Sequence, residues 1–318
     1  MLIRLALDWT PNTNHTGFYV ALSQGLYQQA GLEVQLITPD QDNYQTTPAK
    51  RVTQGLADLA IDPSESVISY HINGQPLVAV ATLLARDSST IATLQQSGIE
   101  RPRQLEGKIY GSYSARYEDE IIRQMMRNDG AQGHLISRKP NRLSLWQALL
   151  DGQVDATWIF HPWEGVEALS RGIRLNEFRL ADYNIPYGYS PVLTTTPAWA
   201  TQYGTELRRF LAATSQGFQF AVEQPDQAAS LLWQTAHHAS LTDIDFLQQS
   251  QQVVSSYYLN ETGQWGWMDG GIWRQFVNWL LERELLRDQT GALVNQVDTS
   301  RLFTNDYLPD GIVPVQPI

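Results

Sequence analysis

Four stretches of the 318-residue chain gather side chains able to recognise a small heteroaromatic molecule. The first is Asp8-Trp9-Thr10-Pro11-Asn12-Thr13-Asn14-His15-Thr16-Gly17, a flat ring, two amides and an imidazole ahead of an expected helix. Trp9 offers a stacking face, and Asn12 and His15 offer hydrogen bonds to ring nitrogens. Asn and Thr at such a place also cap helices. Asn14 and Thr16 are read as caps, whereas Trp9 and His15 are not usual capping residues and are read as ligand contacts, with Tyr19 of the following helix. The second stretch is Asp62-Pro63-Ser64-Glu65-Ser66. Its backbone amides could bind an anion or a carbonyl, with Ser64 and Glu65 as contacts, and capping by Ser64 or Asp62 explains it equally well. The third, Gly111-Ser112-Tyr113-Ser114-Ala115-Arg116-Tyr117, could hold a phosphate with Arg116 or only turn the chain. It lacks a full phosphate-loop pattern, and Tyr113 is its candidate contact.

The fourth stretch carries the most information: Trp158-Ile159-Phe160-His161-Pro162-Trp163-Glu164-Gly165-Val166-Glu167. A strand runs into a helix through aromatics, Trp163 among them, with the Glu164 carboxyl at the turn. A carboxylate accepts from an exocyclic amine and, when protonated, shares its proton with an adjacent ring nitrogen. That two-point pairing suits the edge of an aminopyrimidine. Glu164 also suits the positive end of a helix, and both roles can hold. Tyr187 and Tyr189, in Tyr187-Gly188-Tyr189-Ser190-Pro191, complete the candidate contacts.

Other chemistries find no support. The remaining histidines, His71, His134, His161, His237 and His238, form no His-Glu-x-x-His pattern, so no metal is expected. No Gly-x-Ser-x-Gly elbow occurs. The absence of cysteine excludes disulfides, thiolate metal sites and cysteine nucleophiles. No catalytic residue and no cofactor are expected.

Alternating and helical periodicities place these stretches between elements. Residues 2–8 read as a strand, Gly17–Ala30 as a helix closed by Gly31, and Leu32–Ile37 as a second strand: the opening of a parallel α/β sheet. A weak helix at Thr46–Gln54, a strand at 57–61, a helix at Ser64–Asn73 and a doubly buried strand at Leu77–Ala85 continue it. The polar Arg86–Thr90 marks a crossing. Strands at Ile91–Leu94, Lys108–Gly111, Gly133–Arg138 and Ala156–Ile159 alternate with helices at Glu118–Asn128, Leu143–Leu150 and Trp163–Arg171. Near Tyr187–Pro191 the chain crosses back, Val192–Thr195 rejoins the first sheet, and helices follow at Gly204–Glu223, Pro225–His237, Asp243–Val254 and Gly270–Glu284. The expected lobes are therefore 1–88 with 190–318, and 89–189. Two crossovers make a hinge, and strand carboxyl ends direct the ligand to the cleft between lobes. No internal sequence repeat is visible.

Composition fits this reading. At 42% hydrophobic residues the chain is globular, and a net charge of -11 disfavours nucleic acid and anionic membranes as partners. No apolar run approaches about 20 residues, so no membrane span is expected. The N-terminus turns polar too early for a signal peptide. The expected compartment is periplasmic or otherwise extracytoplasmic if a leader was removed, and cytoplasmic if Met1 is the native start. A monomer is expected.

The opening Leu7-Asp8-Trp9-Thr10-Pro11-Asn12 through Ala21 resembles the thiamine-pyrimidine-precursor binding proteins of bacterial ABC transporters. So do Gly25-Leu26-Tyr27 before Gly31-Leu32-Glu33-Val34, the block from Trp158 to Glu167, Gln264-Trp265-Gly266, and Phe303 through Pro309. The resemblance implies a type II periplasmic-binding-protein fold, two α/β lobes joined by a two-strand hinge. It implies a formylaminopyrimidine or hydroxymethylpyrimidine ligand, an ABC permease as possible partner, and ligand roles for Trp9, Asn12, His15 and Glu164. The same superfamily includes the fungal-type hydroxymethylpyrimidine phosphate synthase. The lysine that would hold its pyridoxal phosphate falls at Asp62 and its histidine at Ser66, and the cysteines of its iron motif are absent, so binding without turnover is expected. An enzyme of thiamine-pyrimidine synthesis or salvage, or a cytoplasmic sensor of the same ligand, is the alternative.

Overall fold

The computed structural model describes residues 1–139 and 144–311. They divide into two compact units, Met1–Asp87 with Gly188–Ile318, and Ser88–Tyr187. The strands, in chain order, are β1 (Leu2–Ala6), β2 (Glu33–Ile37), β3 (Leu59–Asp62), β4 (Val78–Thr82), β5 (Ser89–Leu94), β6 (Ile109–Gly111), β7 (Ile136–Arg138), β8 (Ala156–Phe160), β9 (Leu175–Phe178) and β10 (Val192–Thr195). The helices are α1 (Thr16–Ser23), α2 (Leu26–Gln29), α3 (Pro48–Thr53), α4 (Ser64–Ile72), α5 (Glu118–Asn128), α6 (Leu145–Leu150), α7 (Val166–Ser170), α8 (Pro197–Gln202), α9 (Gly204–Glu223), α10 (Pro225–Ala236), α11 (Ile244–Tyr258) and α12 (Gly270–Glu282).

In the first unit the strand order is β2-β1-β3-β10-β4. Strands β1, β2 and β3 run parallel, and β10 enters antiparallel, pairing Val192 with Asp62 of β3 and with Thr82 of β4. β4 reads Val-Ala-Val-Ala-Thr and is buried at every residue, as a strand covered on both faces requires. The second unit repeats the plan: β7-β6-β8-β5-β9, with β6, β7 and β8 parallel and β5 antiparallel to β8 and β9. In each sheet the antiparallel strand is the one that follows a crossing from the other unit. Both sheets are thus mixed, and they share one topology without any sequence repeat.

One close contact fixes the entry of α1. A Cβ on Gly217 of α9 would lie 2.0 Å from the Gly17 carbonyl oxygen, and one on Gly17 would lie 2.2 Å from the Phe218 ring. Only glycine lets the two helices meet here. Phe218 stacks on Trp265 at 4.7 Å and meets Phe18 and Tyr258 edge-on, so the start of α1 is clamped by a buried aromatic cluster.

Several boundaries differ from expectation. The helix expected over 17–30 is two pieces, because Gly25 takes a left-handed φ of 68° between α1 and α2. The helix expected from Trp163 starts as a wide π turn, His161–Gly165, before α7. The helix expected over 143–150 runs from Leu145, and Leu143 lies outside the described residues. Strand β9 and helix α8 had no sequence signal strong enough to be read. Among the described residues no helix is long and apolar enough to cross a membrane.

Candidate functional site

Parallel strands place their carboxyl ends, and hence the following loops, along one sheet edge. In the first unit the edge carries the loop after β1, the segment 38–44 after β2, and the turn after β3. In the second it carries residues 112–117 after β6 and 161–165 after β8.

The loop after β1 is held by its own polar groups. Asn12 is the N-cap of a short 3-10 turn, Thr13–His15, and its Oδ1 accepts from the Asn14 N–H at 2.9 Å. Its Nδ2 donates to the Thr10 carbonyl at 3.0 Å. His15 completes the cap: Nδ1 accepts from the Asn12 N–H at 3.3 Å, and Nε2 pairs with Asp8 at 2.8 Å. The ring is 0% exposed. The contact to a ligand expected of His15 therefore does not fit its surroundings, because both ring nitrogens are already engaged. Capping falls to Asn12 rather than to Asn14 or Thr16, whose hydroxyl donates to the Thr13 carbonyl at 3.1 Å. Thr13 is tied to α11 through its own hydroxyl to Ser250 at 2.7 Å and through its carbonyl to the Tyr258 hydroxyl.

This frame leaves Trp9 half-buried, 5.5 Å from the ring of Tyr44 at 58°. Tyr44 was not foreseen. It follows β2 in a loop without periodicity and sits at a left-handed φ of 61°. Asp40, from the same segment, bonds His238 Nε2 at 3.2 Å, and the Ser240 hydroxyl donates to the Pro11 carbonyl at 3.2 Å. These links brace the Trp9 loop from the α10–α11 connection. Tyr19 is buried, and burial followed by the Asp40 charge raises its phenol pKa.

The turn after β3 is not capped by a side chain. Pro63 occupies the N-cap position, and Ser64 opens α4 with its N–H donating to the Tyr189 carbonyl at 3.0 Å. The Ser66 N–H donates to the Pro63 carbonyl at 2.9 Å. Two amides that could have met an anion are thus already used. Neither Ser64 nor Asp62 caps the helix. Glu65 is 3% exposed. Tyr189 packs 6.3 Å from Trp273, and its hydroxyl accepts from the Asp269 N–H at 2.8 Å, so it supports the turn rather than presenting a free edge.

In the second unit, residues 112–117 are organised by Glu118, which is 3% exposed. Its carboxylate accepts from the Tyr110 hydroxyl at 2.9 Å, the Ser112 hydroxyl at 3.2 Å, and the N–H groups of Tyr113 and Ala115 at 3.1 and 2.9 Å. Burial raises its pKa, and these donors act against that rise. The phosphate reading of this loop loses force, because its amides face a carboxylate. Tyr113 feels the charge of Glu164: burial, then the charges of Glu164 and Glu118, push its phenol well above the ordinary value.

Glu164 sits in the π turn after β8 and accepts from the Phe160 N–H at 3.0 Å. Burial is the dominant influence and raises its pKa to about 7, with the Phe160 and Glu164 N–H groups opposing and Glu167 adding to the rise. Trp158 meets Tyr187 edge-on at 5.2 Å, and Trp163 is half-buried in the same turn. The turn also begins with a pair not foreseen. His161 Nδ1 lies 2.9 and 3.1 Å from the two oxygens of Glu177, which also accepts from the Thr90 hydroxyl at 3.0 Å. Glu177 belongs to β9, the strand without a sequence signal. No group of three His, Cys, Asp or Glu residues able to hold a metal occurs among the described residues.

The two turns share a pattern. Asp62-Pro63-Ser64-Glu65-Ser66 starts at the last residue of β3, and His161-Pro162-Trp163-Glu164-Gly165 follows β8, each the third parallel strand of its sheet.

Residues 12–228 match a family model described as NMT1/THI5 like. The chain is similar to a formylaminopyrimidine-binding protein of Halalkalibacterium halodurans, 25% identical over 87% of this chain and 84% of that one. It is also similar to the riboflavin-binding protein RibY of Chloroflexus aurantiacus, 24% identical over 97% of this chain and 86% of that one. Among solved structures it resembles the alkanesulfonate-binding protein SsuA of Xanthomonas axonopodis pv. citri bound to MOPS, with a TM-score of 0.69, 13% identity, and coverage of 96% and 97%. At that identity the likeness shows the fold alone, that of periplasmic binding proteins.

Proposed function

Because the chain belongs to the NMT1/THI5-like family, we propose that it is a solute-binding protein that captures a small thiamine-related aminopyrimidine for uptake by an ABC importer. The observation that carries this reading is Glu164: a half-buried carboxyl fixed by the Phe160 N–H, its pKa raised to about 7 mainly by desolvation, with its charge felt by Tyr113. A carboxyl poised there accepts from an exocyclic amine as the anion. As the acid it donates to the neighbouring ring nitrogen. Either state matches two adjacent atoms of an aminopyrimidine, so one proton can be shared across the pair.

In this reading Trp9 supplies a stacking face, with Tyr44 beside it. Asn12 and His15 build the loop that presents Trp9. Tyr19, Ser64 and Glu65 are proposed contacts at the same sheet edge, and Tyr113, Trp163 and Tyr187 are proposed contacts around Glu164. Binding without turnover follows from what replaces the synthase residues, since Asp62 and Ser66 offer neither an amine for a Schiff base nor an imidazole to consume. An extracytoplasmic location and an ABC permease as partner belong to the same proposal.

Calorimetric titration of the purified chain with formylaminopyrimidine, hydroxymethylpyrimidine, thiamine and riboflavin tests it. Saturable binding of one pyrimidine, recovered unchanged by mass spectrometry, is expected. Riboflavin binding with no pyrimidine response would move the ligand to flavins and keep the solute-binding role. Product formation would move the chain among the enzymes. Glu164→Gln should also lower the preference for amino over deaminated pyrimidines by about tenfold, one hydrogen bond to a charged group.

A further inference from the structure

We propose that His161, oriented by Glu177, is a second ligand contact in the turn that carries Glu164, and that it recognises an acceptor oxygen on the aminopyrimidine's substituent; this rests on the function proposed above. The geometry begins with Glu177. Its carboxylate is held by the Thr90 hydroxyl at 3.0 Å and grips His161 Nδ1 at 2.9 Å. Strands β5, β8 and β9 bring the three residues together at one edge, since Ser89 pairs with Phe160 and Ile91 with Phe178. Engaging Nδ1 defines the rest of the ring. Nε2 lies on the side away from Glu177, and it has no hydrogen-bond partner among the described residues. The side chain is 41% exposed.

A surface ion pair tying the turn to β9 is the plainer account. Gly165 argues against it. A Cβ there would lie 2.8 Å from His161 Nδ1, so the ring rests directly against the glycine. Gly165 has an ordinary helical φ of -64°, hence it is needed for space and not for backbone conformation. Glycine in a helical turn costs about as much stability as an exposed ion pair returns. The arrangement therefore yields little net stability, and what it does yield is a fixed imidazole.

When protonated, the fixed ring is a donor through Nε2. The hydrogen bond and charge of Glu177 raise the His161 pKa, with burial and Arg179 opposing. Burial acts to raise Glu177, but His161, Thr90 and Arg179 outweigh it and hold its pKa low. In the imidazolium form, which that rise favours, the ring presents Nε2–H. Three residues on, Glu164 presents an acceptor. One turn thus offers a donor and an acceptor, and the complementary ligand carries an amino group and a carbonyl oxygen. A formylamino substituent has that oxygen. The same pyrimidine stripped of its formyl group lacks that oxygen and offers only an amine.

The test is calorimetry on the full chain with formylaminopyrimidine and with its deformylated amine, for wild type, His161→Gln and Glu177→Gln, each confirmed folded by thermal melting. The wild type should prefer the formylated ligand. His161→Gln should reduce that ratio about tenfold or more. Glu177→Gln should reduce it less and add a pH dependence in the ordinary histidine range, which loss of a merely structural pair would not produce. If both ligands bind the wild type and His161→Gln weakens them equally, or neither, the inference is wrong and the pyrimidine-binding reading stands. If the wild type binds neither pyrimidine, that reading fails and the inference falls with it.

Discussion

Each unit of the molecule holds a carboxylate–imidazole pair just past the carboxyl end of a parallel strand, and the two pairs do opposite work. In the first unit Asp8 holds His15 Nε2 at 2.8 Å, and the second nitrogen is filled by the Asn12 N–H. The ring is fully buried, and it closes a capping box. In the second unit Glu177 holds His161 Nδ1, the other nitrogen is left over, and the ring is half-exposed above a glycine. A carboxylate partner does not by itself mark a functional histidine. The state of the second nitrogen decides whether the ring builds a loop or meets a ligand.

The largest test of this contrast is stability. His15→Ala should cost about 3 kcal/mol, from a buried cavity plus the unpaired Asn12 N–H and Asp8 carboxylate. Urea unfolding measures it, and a loss under about 1 kcal/mol would show that His15 is not the post of its loop. Next comes the charge state of the neighbouring carboxyl. Glu164 has its pKa raised to about 7 in the folded chain, so the folded state holds a proton more tightly than the unfolded one. Stability must then fall as pH rises from about 4.5 to 7 and level off above. Glu164→Gln removes that slope: unliganded variant and wild type should be equally stable near pH 4, and the variant more stable by at most about 3 kcal/mol at pH 8. Melting curves across this range check both sign and window. A wild-type chain whose stability is flat over the window would place Glu164 in ordinary solvent.

Trp9→Ala separates presenting a loop from building one. Losing one aromatic stack should weaken ligand binding by about 1–3 kcal/mol. Unfolding should change far less than for His15→Ala, because Trp9 is only half-buried. A large stability loss with unchanged affinity would reverse the assignments of Trp9 and His15.

The fold was readable because its periodicities are strong. β4 is apolar but for its last residue, Thr82, α5 runs over the expected Glu118–Asn128, and β10 rejoins the first sheet at the expected Val192–Thr195. The shared topology of the two sheets was not readable, since strand order depends on long-range pairing that no local pattern encodes. The site was half legible. Glu164 stood out because a lone carboxyl among aromatics at a strand–helix turn is chemically conspicuous. The capping role of His15 was not legible because its partners, the Asn12 N–H and the Asp8 carboxylate, meet it only once the loop closes. Tyr44 and Glu177 were missed because one lies in an aperiodic loop and the other in a four-residue strand. Glu118 only opens an expected helix in the sequence, and its capture of the preceding loop is visible only in three dimensions.

The smallest effect is also the sharpest check on the contrast. His161 has a raised pKa, so its pairing with Glu177 stabilises the fold fully below about pH 6.5, and that contribution is lost as pH rises through the folded value. Glu177 has a lowered pKa, so its share is present above about 4.5 and lost in more acid solution. The pair therefore contributes most between those limits. Because the imidazole is 41% exposed, solvent screens the interaction, and His161→Gln should cost under about 1 kcal/mol at pH 5.5 and nearly nothing at pH 9. Comparing melting temperatures at those two pH values measures this. A loss above about 2 kcal/mol, or one independent of pH, would make His161 a structural post like His15. A small loss confined to the acid side, together with an altered preference between formylated and deformylated pyrimidine, would mean that the fold can dispense with this ring while the ligand cannot.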